Sequence, residues 1–160
     1  MATTEAADSG AHVRRTRHFL DQEVKLDRLL ALTFGRADPG QAAFDLVAPI
    51  LWRRAPTNWA QLSAQGGLTP AVVLRAADTA AGALAGLGGW SAEDIDEALQ
   101  SAARDLGVPR GSLDAVLSVF VLHGRTPLPL APVFEALGEG ECMARLQAAA
   151  RAYRVGGMVG

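Results

Sequence analysis

The sequence predicts an all-α fold, a compact set of seven or so helices, and two observations predict it. Apolar residues recur three and four positions apart over long stretches, the spacing that lines one face of a helix. No stretch shows the strict apolar–polar alternation of a half-buried strand, so no sheet core is expected.

The elements follow in order. Residues 1–12 are small, polar and acidic and read as a disordered tail. A helix is expected from about Val13 to Phe34, with Phe19, Leu26, Leu30 and Phe34 on one face, ended by Gly35 and the Asp38-Pro39-Gly40 turn. A second runs from about Gln41 to Trp52, bent or interrupted near Pro49, whose ring nitrogen cannot donate a backbone bond. Asn58 to Gln65 makes a short helix closed by Gly66-Gly67. Thr69-Pro70 opens a long alanine-rich helix as N-cap and first-turn proline. Val73, Ala77, Ala80, Leu84 and Leu87 line one side of it, and Gly82 with the alanines would allow close helix approach.

The glycine-rich turn 86–89 is the expected boundary between an N-terminal helical subdomain, 13–88, and a C-terminal one, 89–155, with a flexible tail at 156–160. Ser91 then caps a helix that has Glu93 and Asp94 in its first turn, where the helix dipole favours acid. Ile95, Leu99, Ala102 and Leu106 form its stripe and Gly107 stops it. Ser112 is the expected cap of the next helix, with Leu113, Val116, Leu117, Phe120 and Val121 facing inward. After a turn at Gly124 come a proline-punctuated loop, a short helix around Pro132 to Leu137, and a last helix from about Glu141, with Met143, Leu146, Ala150 and Tyr153 on its inner side.

Composition narrows the function. Of 160 residues 49% are hydrophobic and 20% charged, the balance of a soluble globular chain. The formal net charge of −2 weighs against non-specific nucleic-acid binding, which rests on phosphate neutralisation, but is compatible with a local basic face. Cationic charge is nearly all arginine, Lys25 being the single lysine. Cys142, the one cysteine, leaves no disulfide framework and reads as a small packed hydrophobe. The first residues do not read as a signal peptide, and the longest small-apolar run, Ala80 to Leu87, is far short of the roughly 20 residues that span a bilayer. A cytoplasmic location without membrane contact is expected.

Carboxylates are numerous but have no acid–base partner at a useful spacing. Glu93, Asp94, Asp96 and Glu97 point different ways around one helix, which is helix electrostatics and not a metal cage. No Cys/His spacing suggests zinc, and no phosphate loop of the G-x-x-x-x-G-K type occurs. No catalytic residue, metal or cofactor is assigned, and catalysis by this chain alone is not expected.

The most informative stretch runs from Trp90 to Leu146: Trp90-Ser91-Ala92-Glu93, a helix, Gly107 and Gly111, a second helix into Leu122-His123-Gly124-Arg125-Thr126, then Leu137-Gly138 and Arg145-Leu146. That order resembles the last helical part of the C-terminal anticodon-binding domain of bacterial glutamyl-tRNA synthetases, class I enzymes. Their pattern is a W-[ST]-x-E start, a G-x-x-x-G junction, a helix into an L-T-G-R turn, and a final L-G followed by R-L. The resemblance covers roughly the last 60 to 70 residues. The chain has only His12, His18 and His123 as histidines, and neither ATP-handling signature of a class I catalytic domain. The resemblance therefore implies a free-standing recognition module without a catalytic domain. Val119 stands where the family has an arginine five residues before the turn glycine.

Candidate RNA contacts follow from the resemblance and from arginine chemistry. Arg125, projecting from a corner whose glycine permits a left-handed helix end, can fork onto phosphate or stack on an unpaired base. His123 shares that turn, Arg110 lies in the turn at the other end of the same helix, and Arg104 and Arg145 complete the set. The plain alternatives are an arginine capping a helix C-terminus and solvated turn residues. A second set, Arg14, Arg15, Arg17, Trp52 and Trp59, suits docking on a protein. Three functions are open: a tRNA-binding module; a helical protein-interaction subunit that kept the fold and lost RNA binding; and a truncated synthetase paralogue working with a separate catalytic chain. One contiguous patch of Arg104, Arg110, Arg125 and Arg145 would favour RNA, and scatter a protein partner.

Overall fold

The computed structural model describes residues 20–33, 41–52, 68–124 and 126–156. Among them lie seven helices and no strand: α1 (20–31), α2 (Gln41–Trp52), α3 (Pro70–Ala85), α4 (Ala92–Leu106), α5 (Arg110–Leu122), α6 (Leu130–Leu137) and α7 (Glu139–Gly156). The all-α class is as expected. Two compact units divide after Leu51. The turn at 86–89, where composition places a boundary, joins α3 to α4 inside the second unit.

In the first unit, α1 carries an i,i+4 ion pair of Asp21 with Lys25 at 2.8 Å. Leu29 is its fully buried residue while Leu26 and Leu30 are half-buried, so the apolar stripe centres one position from where spacing puts it. Thr33 stops the helix by donating its hydroxyl to the Leu30 carbonyl at 2.7 Å. Phe19, Phe34 and the short helix expected at 58–65 lie outside the described residues. α2 continues through Pro49, which stands in its last turn, and buries Ala43, Val47, Ile50 and Leu51.

The second unit is built on alanine. Thr69 caps α3 by accepting from the Val72 N–H, with Pro70 in the first turn as expected. Ala76, Ala77 and Ala80 are almost wholly buried, and their small side chains let α3 pack on α4, α5 and α7. Gly82 has open space where a side chain would stand, so the alanines alone give the close approach. Ser91 caps α4, accepting from Asp94 N–H and donating to the Asp94 carboxylate at 2.6 Å. Gly107, at φ 67°, closes the helix in the left-handed conformation glycine tolerates.

Three helix starts differ from the sequence pattern. α5 begins at Arg110 after Pro109, and Ser112 lies in its first turn bonded to the Pro109 carbonyl at 3.0 Å. α6 begins at Leu130, which puts Pro132 where a missing N–H costs no helical bond. α7 begins at Glu139 directly after Gly138, whose φ of 88° and ψ of 154° are reserved for glycine. Cys142, 1% exposed, takes the inner position expected of Met143 and joins Leu146, Ala150 and Tyr153 there.

Phe120 and Tyr153 meet at the centre of this core, ring centroids 5.7 Å apart and planes tilted by 49°. Burial pushes the Tyr153 phenol above its ordinary pKa of 10.0. A group whose folded pKa is raised contributes stability below its unfolded pKa and loses it as pH rises through the folded value. Stability should therefore hold through neutral pH and fall from about pH 10 upward. Tyr153 is the one tyrosine, so tyrosinate absorbance reports it alone. Its alkaline midpoint should lie above that of the urea-unfolded chain, and Tyr153→Phe should blunt the alkaline loss of stability. Coincident midpoints would show the phenol to be solvated.

Candidate nucleic-acid interface

Where helices meet, side chains of one bond the backbone of another. The Trp90 indole N–H donates to the Phe134 carbonyl at 2.8 Å, and the Glu135 carboxylate accepts from the Ala92 N–H at 2.6 Å. These two bonds clasp the start of α4 to α6. The Phe134 carbonyl also accepts from Gly138 N–H and from the Cys142 thiol, at 3.0 and 3.6 Å. The residues that open the resemblance to a synthetase domain are thus structural joints.

The candidate arginines divide by what they bond. Arg110 donates through Nε to Asp114 at 2.7 Å, and through its terminal nitrogens to the Asp96 carboxylate and carbonyl at 2.8 and 3.1 Å. Burial works against its charge, but the bonds to Asp114 and Asp96 outweigh it and hold its pKa above the ordinary value. Arg145 donates through Nε to Glu141 at 2.7 Å and through Nη1 to the Val121 carbonyl at 3.1 Å, its side chain only 14% exposed. Both forks are occupied inside the protein. Arg104 is exposed and bonds only the Gln100 carbonyl of its own helix, at 3.4 Å.

Arg110 stands at the start of α5 and Arg145 meets its end, about 16 Å along the axis at 1.5 Å per residue. Arg125 lies outside the described residues, as do Arg14, Arg15, Arg17, Trp59 and the side chain of Trp52. His123 is described and is half-buried.

The corner that ends α5 turns on His123, not on Gly124. His123 takes the left-handed conformation, φ 59° and ψ 21°, and among the described residues it is the one non-glycine at positive φ. The N–H groups of His123 and Gly124 both point to the Ser118 carbonyl. Helix ends favour this geometry, and histidine visits it more readily than most side chains, but its Cβ costs energy that glycine would not. Val119, the position of a family arginine, is 9% exposed and belongs to the core.

Elsewhere in the second unit, α3 and α7 flank a cleft of about 210 Å³ floored by Ala77, Ala81 and Ala150. Asp78 on its rim accepts from Arg154 Nη2 through both carboxylate oxygens, each bond 3.1 Å. Among the described residues no three His, Cys, Asp or Glu side chains group as a metal site. No described helix is long and apolar enough to cross a membrane.

The model of one protein family, described as an anticodon binding domain, matches residues 12–150. No curated protein matches the chain.

Backbone strain at the corner is directly testable by comparing His123→Gly with His123→Ala. Both remove the imidazole, and only glycine relieves the left-handed backbone. The glycine variant should be the more stable of the two by about 1 kcal/mol, the reverse of the order in a helix interior. Denaturant unfolding measures it, and an alanine variant as stable as the glycine one would show that position 123 does not hold this conformation in solution.

Proposed function

The chain belongs to the anticodon-binding domain family, and from that premise we propose that it is a non-catalytic tRNA-binding module resembling that of glutamyl-tRNA synthetases. The family match over residues 12–150 carries this proposal. The proposed RNA-facing site is the corner after α5, with Arg125 and His123 as its contacts. A guanidinium and an imidazole two residues apart in sequence suit a phosphate or an unstacked base. Arg104 is exposed and can add a phosphate contact. Arg110 and Arg145 bond neighbouring carboxylates and carbonyls, which supports a framework role for them beside or in place of an RNA contact.

A second reading, a helical subunit that docks on a protein, is favoured by one observation: Arg110 and Arg145, at the two ends of α5, are each paired with carboxylates of the protein itself. A third, partnership with a separate catalytic chain, shares the tRNA-binding step with the first.

Two experiments separate these. Fluorescent tRNA titrated at several salt concentrations should show saturable binding at low salt. Arg125→Ala should weaken it by roughly 1–3 kcal/mol and reduce the salt dependence by about one counterion if the contact is to phosphate. Melting temperature should change little, because one helix-end charge is worth only about 0.3–1 kcal/mol. Absence of saturable binding by wild type would leave the protein-docking reading in its place. Separately, the purified chain should neither activate glutamate nor charge tRNA. Glutamate-dependent pyrophosphate exchange above buffer would overturn the non-catalytic assignment, and activity only with a separate catalytic subunit would favour the third reading.

A further inference from the structure

We infer that Arg145 is a positioning residue for the corner at 122–124, acting on RNA only through that corner, an inference that rests on the RNA-binding proposal above.

The last carbonyls of any helix lack intrahelical partners. α4 meets this need alone: the Gly107 N–H bonds the Ala103 and Arg104 carbonyls and Val108 adds a bond to Ala103 at 3.1 Å. α5 does not end on glycine. Its left-handed residue is His123, a conformation in which the Cβ crowds the backbone as it would not in glycine. A guanidinium arrives from α7, 24 residues along the chain, and donates to the Val121 carbonyl at 3.1 Å. A cation at a helix C-terminus also meets the negative end of the helix dipole.

Arg145 is itself held. Glu141, one turn earlier in α7, accepts from its Nε at 2.7 Å, and the planar fork then fixes where Nη1 points. The corner is therefore braced from two sides: by the Ser118 carbonyl, which takes the His123 and Gly124 N–H groups, and by Arg145 from another helix. With Glu141 beside it and 14% of its side chain exposed, Arg145 offers little charge to a phosphate. It offers geometry.

Glu141→Ala distinguishes the two roles by sign. If Arg145 contacts RNA, deleting the neighbouring carboxylate removes a negative charge, frees the guanidinium and tightens tRNA binding. If Arg145 positions the corner, the same change loosens the fork and weakens binding. Arg145→Gln should weaken binding roughly tenfold, the scale of one charge-assisted hydrogen bond. In an Arg125→Ala background it should have less than about a twofold further effect, because coupled residues are not additive. Additive losses, or tighter binding by Glu141→Ala, overturn the inference. Amide hydrogen exchange supplies a readout independent of RNA: Arg145→Gln should lose protection at His123 and Gly124 while Ile95 and Leu99 in α4 keep theirs. Unchanged exchange at the corner overturns the inference even where wild type binds no tRNA, a result that by itself would remove only the functional proposal. Should Arg145→Gln fail to fold, Glu141→Ala still decides by sign and by exchange at the same two amides.

Discussion

Every helix end leaves backbone groups that must find partners, and the second unit meets that constraint with local caps and with side chains lent from elsewhere in the chain. Trp90 serves the Phe134 carbonyl near the end of α6, Glu135 the first N–H of α4, and Arg145 the Val121 carbonyl near the end of α5. Apolar burial supplies most of the cohesion, but it is non-directional. Hydrogen bonds of fixed length between one helix and another's terminus convert a pile of amphipathic helices into one arrangement. Each contributes only about 0.5–1.5 kcal/mol net, yet stranding its partner costs about 1–3 kcal/mol. The register of α4 on α6, and of α5 against α7, depends on these few bonds.

The same constraint explains what could be read from the chain and what could not. Helical periodicity located the inward faces of α3, α4 and α5 closely, because 3.6-residue spacing is a property of the sequence itself. Caps that act locally, such as Ser91 and Gly107, were equally legible. Pro109 in place of Ser112 and His123 in place of Gly124 are misplacements at helix ends, while Leu29 in place of Leu30 and Cys142 in place of Met143 are one-position shifts of a buried face. A terminus is settled by backbone dihedrals and by partners far along the chain, so residue type alone can misplace it by a few positions. The internal bonds of Arg110 and Arg145 were hidden for a different reason. Sequence displays a charge and conceals its long-range partner, Asp96 in one case and the Val121 carbonyl in the other. A local signal was present, since Arg110 with Asp114 and Glu141 with Arg145 are i,i+4 pairs of opposite sign.

What the synthetase-like motif reports is therefore mainly the fold. Trp90 and Ser91 set the start of α4, Gly107 its end, Gly138 the entry to α7, and Arg145 the end of α5. Gly111 is the exception, exposed and with open space around it, so the structure gives no reason for glycine there. A chain can keep Trp90, Ser91, Gly107, Gly138 and Arg145 while its partner changes, because they answer to the fold. Val119 shows the reverse: the position occupied by a basic residue in the family is here closed into the core.

Charge bookkeeping then limits how such a chain could hold a polyanion. Of the described arginines in the second unit, Arg110, Arg145 and Arg154 are each bonded to a carboxylate. An arginine already paired releases few counterions from RNA, because the phosphate must compete with an internal carboxylate for it. With a formal net charge of −2 the whole protein adds no attractive field at long range. Binding by this chain would thus rest on a few contacts placed accurately, with a shallow dependence on salt, and not on a broad basic surface. Accuracy of placement demands a corner that does not flex, and a left-handed residue braced by two carbonyl-centred interactions is a corner of that kind. Arg110, Arg145 and Arg154 are committed to carboxylates of the protein itself, so recognition of a polyanion would fall to other arginines.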